Sequence, residues 1–132
     1  MTKKQENRRF LGVDWGEKRL GLALAEEGLG FALPYGVAST LSEVLEVIDE
    51  ERISLIVIGA PFKMRNILED MNPVFLDFLE TLKKKTKIPI ELMDERLTSK
   101  AADALEGNYR DKAPRDAVAA MLILQSYLDK QK

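Results

Sequence analysis

The chain has 132 residues, of which 45% are hydrophobic and 32% charged; that fits one domain with a real core and excludes a disordered polymer. It contains no cysteine and no histidine, which excludes disulfides, thiolate nucleophiles, Cys-based zinc or iron–sulfur sites and any Ser-His-Asp triad. With 22 acidic against 20 basic residues and a net charge of −2, it is no broadly basic nucleic-acid coat, and any catalysis falls to carboxylates, Lys, Tyr or a hard cation held by oxygen ligands.

Residues 1–8 are polar and charged and are expected to form a flexible segment, with a single domain over residues 9–130. No apolar run approaches the ~20 residues of a membrane span, and no signal-peptide pattern opens the chain, so a cytoplasmic location is expected. The first predicted strand is Arg9 to Asp14, apolar on both faces through Phe10 to Val13, as a buried central strand is. Residues Trp15 to Lys18 make a turn, and Arg19 to Ala25 returns as a second strand with leucines alternating against small residues. Gly30 to Val37 reads as a third, with Pro34 marking an edge or a bulge.

The period then changes. Thr40 and Glu43 have the spacing of a capping box, and Leu41, Val44, Leu45 and Ile48 form one helical stripe. Ile53 to Ile58 is a buried strand. Asn72 caps a second helix with Pro73 at its first position and a stripe of Phe75, Phe78, Leu79 and Leu82. Ile88 to Met93 is a further strand, Thr98 to about Leu105 a short helix, and Pro114 opens a last helix to about Leu128.

This order predicts an α/β fold. Three strands on tight turns form an antiparallel meander, and two more, each reached through a helix, lie parallel in one mixed five-stranded sheet with helices on both faces. Sites in such sheets lie outside the carboxyl ends of the strands. Asp14 ends the first strand there, and Asp94-Glu95 follow the last. Asp116 sits in the first turn of the final helix, on the face of Ala119, Ala120 and Ile123 that packs on the sheet. Each acid has an ordinary explanation: a charged turn at Asp94-Glu95, a helix-dipole acid at Asp116. An acid on a buried helix face is costly unless it is paired or metal-bound. Three acids converging from distant segments suit metal-assisted phosphodiester hydrolysis, with Mg²⁺ or Mn²⁺ as the cofactor. Arg19, Arg96 and Lys100 lie in or beside the segments that carry these acids and are expected to hold substrate phosphates at the rim.

The chain resembles the YqgF family, also called RuvX, of bacterial RNase H-like nucleases. The segment Gly12-Val13-Asp14-Trp15-Gly16-Glu17-Lys18-Arg19-Leu20-Gly21-Leu22-Ala23 is similar to the family's opening motif. Ile58-Gly59-Ala60-Pro61-Phe62-Lys63-Met64, Asp94-Glu95-Arg96-Leu97-Thr98-Ser99 and the run from Asp116 to Leu128 resemble its later motifs. Four motifs in order cover about Phe10 to Leu128. The resemblance implies an RNase H-like fold and a nuclease that processes the 5′ end of precursor 16S ribosomal RNA in ribosome biogenesis. It places the catalytic, metal-holding acids on Asp14, Glu95 and Asp116, with Asp94 the fallback for the second. Implied partners are nucleic acid, either that RNA or branched DNA, and ribosomal particles, with the chain a monomer or weak homodimer and no membrane involved.

The chain departs from the family's pattern after Met64, where Arg65-Asn66-Ile67-Leu68-Glu69-Asp70 replaces a polar, Gly-containing loop, and this bears on substrate handling more than on chemistry. Two other functions share the fold. One is a Holliday-junction resolvase acting on branched DNA; the other is a non-catalytic module that binds nucleic acid or protein. A kinase-like ATPase reading of the Asp-x-Gly hairpin needs a duplicated unit, and 132 residues hold one copy.

Overall fold

A computed structural model describes residues 8–60, 72–94 and 114–131. Its sheet runs in the order β3-β2-β1-β4-β5, with strands β1 (Arg9–Asp14), β2 (Leu20–Glu26), β3 (Ala32–Ala38), β4 (Leu55–Ala60) and β5 (Ile90–Asp94). The first three pair antiparallel, whereas β4 is parallel to β1 and β5 parallel to β4. The mixed sheet and the central place of β1 are as the hydropathy pattern predicts.

Three described helices cover it: α1 (Leu41–Glu50), α2 (Pro73–Lys85) and α3 (Arg115–Lys130). Strand alternation divides the core in two. Leu11, Val13, Leu22, Ile56 and Ile58 face one way and pack with Val44 and Ile48 of α1 and Phe75, Leu79 and Leu82 of α2. Phe10, Ala23, Ala25, Leu55, Val57 and Met93 face the other way and pack under α3 through Val118, Ala120, Met121 and Leu124. Burial of each large apolar side chain contributes about 1.5–3 kcal/mol, and Leu11, Val13, Ile56 and Ile58 are completely buried.

The helix starts follow their sequence signals. The Thr40 Oγ1 accepts from the Glu43 amide at 3.2 Å. The Glu43 carboxylate reaches back to the Ser39 amide at 2.7 Å, one residue ahead of the cap. Asn72 Oδ1 accepts from the Val74 amide at 2.7 Å, with Pro73 in the first turn. Pro34 lies on edge strand β3, where the register moves from Leu22–Gly36 to Ala23–Pro34 and leaves Tyr35 as the extra residue of a bulge.

Several boundaries differ from the sequence reading. Strand β4 begins at Leu55 rather than Ile53. Ile53 is buried in the α1–α2 core, but it follows a turn at Arg52 with a left-handed φ of 54° and precedes the ladder. Strand β5 begins at Ile90 rather than Ile88, β3 at Ala32 rather than Gly30, and α3 continues to Lys130. The short helix expected over Thr98–Leu105 and the departing loop at Arg65–Asp70 lie outside the described residues. No helix among those described is long and apolar enough to cross a membrane.

Candidate active site

Asp14 is the last residue of β1 and half-buried. It continues the alternation of Phe10 and Gly12, so it belongs to the α3 side of the sheet. Its neighbours in the adjacent strands are Gly21 on β2 and Gly59 on β4. Neither brings a side chain into the space beside the carboxylate at the carboxyl end of the sheet's middle strand.

Helix α3 closes onto that space. A Cβ built on Gly21 would run into the carbonyl oxygen of Asp116 and come within 3.0 Å of its Cβ. One turn further along the helix, a Cβ on Gly12 would lie 2.8 Å from Leu124 Cβ and 2.9 Å from the Ala120 carbonyl oxygen. The helix therefore seats its backbone on two glycines, and its buried small residues Ala117 and Ala120 permit the approach. Asp116 thus rests on the cross-strand partner of Asp14. Two acids 102 positions apart in sequence are brought to the same end of the sheet.

Asp116 has company. Arg19 Nε donates to its Oδ2 at 2.7 Å, with the Asp116 side chain one-third exposed and Arg19 largely exposed. An exposed pair of this kind contributes at most ~1 kcal/mol of stability; its value here is to orient the carboxylate. At the far end of α3, Gln125 fixes the helix to the β2–β3 turn. Its Oε1 accepts from the Ala32 amide at 2.8 Å and its Nε2 donates to the Gly30 carbonyl at 3.1 Å. Gly30 has a φ of +82°, a conformation that needs glycine. The sequence contains the glycines and Gln125, but their part in seating the helix needs the spatial pairing.

Asp94 belongs to the other face. It ends β5 opposite Ala60, in the alternation of Ile90 and Leu92, which pack with the α1–α2 core. Met93 is the residue that shares the α3 side with Asp14. Glu95, Arg96 and Lys100 lie outside the described residues. Among the described residues, no three acidic side chains form a cation site. Asp14 and Asp116 carry hard oxygen donors of the kind that suit Mg²⁺ or Mn²⁺.

A mixed five-stranded sheet in this order, with helices on both faces, is an RNase H-like fold. The chain matches the family described as "RuvX: Holliday junction resolvase" over residues 8–130, and it belongs to that family. It is 32% identical over 137 aligned positions to a Rickettsia africae protein named "Putative pre-16S rRNA nuclease", covering 96% of this chain and 89% of the relative. A Natranaerobius thermophilus protein of the same name is 32% identical over 134 positions, covering 93% of this chain and 95% of the relative. Among solved structures, Thermus thermophilus RuvC in complex with a Holliday junction substrate superposes with a TM-score of 0.64 at 18% identity, covering 93% of this chain and 95% of that one. A second structure of that RuvC gives 0.59 at 19% identity. These likenesses show the RNase H-like fold, and membership in a nuclease family makes the chain a hydrolase of phosphodiester bonds.

Proposed function

We propose that this chain is a divalent-metal-dependent endonuclease that processes the 5′ end of precursor 16S rRNA in the cytoplasm during ribosome biogenesis, with Asp14, Glu95 and Asp116 as its catalytic acids. The observation that carries the reading is the glycine seat, which sets Asp116 on the strand partner of Asp14. Glu95 completes the set in preference to Asp94. Asp94 shares the face of Leu92, away from Asp14. These acids would hold the cations, which when bound would supply an activated water and charge stabilisation at the leaving oxygen.

The protein's own groups do the rest. Asp14 and Asp116 hold negative charge at the end of β1, and Arg19 keeps Asp116 in one orientation. Arg19, Arg96 and Lys100 are the cations assigned to hold phosphates on either side of the scissile bond. The partners under this reading are precursor RNA and the ribosomal particle that carries it, with the chain a monomer or weak homodimer. A second reading, cleavage of branched DNA, is favoured by the family's description and by the fold shared with RuvC.

Substrate choice tests the two. Purified protein with Mg²⁺ or Mn²⁺ is given precursor 16S RNA and, separately, a four-way DNA junction. The proposal expects a defined 5′ trimming of the RNA with the junction left intact. Symmetric cutting of the junction with the RNA untouched overturns it in favour of the second reading.

A further inference from the structure

On the face of the sheet opposite α3, the β1–β2 turn borders an open cavity of about 270 Å³ with the β3–α1 junction and the first half of α2. Its wall includes Trp15, Phe78 and Val74, and its polar lining includes Thr40, Asp77 and the two cations Lys18 and Arg19. Trp15 directly follows Asp14, and its ring is held edge-to-face against Phe75 at a centroid separation of 5.4 Å and an interplanar angle of 75°. Arg19 lines the cavity and is also bonded to Asp116. Arg19 therefore links the lining of the cavity to Asp116.

We propose that this cavity receives one unstacked nucleobase of a single-stranded segment next to the scissile phosphate. Three features fit that ligand. An aromatic ring already immobilised by Phe75 offers a stacking surface at little entropic cost. The charge is divided along the cavity: Lys18 and Arg19 lie on the β1–β2 turn, where Arg19 bonds Asp116 and a phosphate belongs. Asp77, an exposed carboxylate, stands on α2. A carboxylate repels a phosphate and accepts from the ring and amino N–H groups of a base. The Thr40 hydroxyl, whose oxygen accepts from the Glu43 amide, keeps its own proton to donate. This site rests on the nuclease reading and adds what that reading lacks, a place that selects unpaired strand over duplex.

Trp15 is the one tryptophan of the chain, so its fluorescence reports the cavity directly. Eight-nucleotide single strands, in RNA and DNA versions, are titrated into wild-type protein with Ca²⁺ replacing Mg²⁺ so that the strands stay intact. The same strands with one central abasic position, and a duplex of the same sequence, serve as comparisons. The proposal expects quenching by the single strands, and a loss of quenching when the abasic position occupies the site or when the strand is paired. The RNA and DNA arms show which sugar it accepts. Binding of a labelled strand should weaken roughly tenfold in Trp15→Leu and stay within about threefold in Trp15→Phe, since stacking is worth about that much per base. Equal quenching by intact and abasic strands, quenching by duplex alone, no binding, or equal affinities in the two variants overturns it. Cleavage by wild type in the presence of Mg²⁺, with quenching absent, removes this site and leaves the nuclease reading standing.

Discussion

Replacing Gly21 with alanine adds one methyl group where the helix carrying Asp116 touches the sheet. The new Cβ meets main-chain atoms of Asp116, not the flexible end of a side chain, so no rotamer change relieves it and the helix must move. Overpacking of this kind costs about 1–3 kcal/mol, which lowers the melting temperature by several degrees in a domain of this size. The effect on rate is larger than the effect on stability. The displaced residue is Asp116 itself, and a misplacement of ~1 Å in a catalytic constellation costs about a hundredfold. Gly12→Ala is the matched control. It meets Leu124 and the Ala120 carbonyl, deeper along the helix, and should destabilise by a similar amount with a smaller loss of rate. The assay is strand cleavage at saturating metal, beside thermal melts of both variants. Wild-type cleavage by Gly21→Ala, or an equal loss in the two variants, refutes the claim that this glycine sets the position of the acid.

Asp116→Asn should weaken Mn²⁺ binding in calorimetric titration and abolish cleavage, with melting unchanged or raised in the absence of metal; unchanged Mn²⁺ affinity with a small drop in melting temperature leaves Asp116 a helix-dipole residue. Glu95→Gln should reduce cleavage far more than Asp94→Asn, and the reverse order moves the second acid to Asp94. Arg19→Met should change stability by no more than ~1 kcal/mol, because the pair with Asp116 is exposed. It should also flatten the salt dependence of substrate binding by nearly one power of salt concentration, as loss of one phosphate contact requires; an unchanged slope removes Arg19 from the rim.

The fold was largely legible because its central feature is a composition contrast. Phe10 to Val13 is apolar on both faces and ends in an acid, and a middle strand at the mouth of a site needs both. The helix caps at Thr40 and Asn72 were legible because each rests on local hydrogen-bonding chemistry. Ile53 was misread as strand because hydropathy records burial and not ladder pairing; Ile53 is buried from a turn. The pairing of Arg19 with Asp116 was not legible, since 97 residues separate them and only the antiparallel return of β2 beneath α3 brings them together. The same holds for the glycines. Gly12 and Gly21 read as strand residues of low propensity, and their purpose appears only when α3 is laid on them. The facing of Asp94 away from Asp14 follows from alternation, but only once Leu92 is assigned to the α1–α2 core.

The central claim is that the carboxylate at the end of β1 carries phosphodiester cleavage. Asp14→Asn keeps the shape and removes the charge, and relief of repulsion between neighbouring acids should leave the fold at least as stable. Rates of strand cleavage with Mg²⁺ or Mn²⁺ are compared for wild type and Asp14→Asn, prepared in parallel and matched by thermal melt. The account predicts a cleaving wild type and a loss of roughly three orders of magnitude in the variant, the scale on which removal of one preorganised electrostatic group acts. Cleavage by Asp14→Asn at the wild-type rate contradicts it.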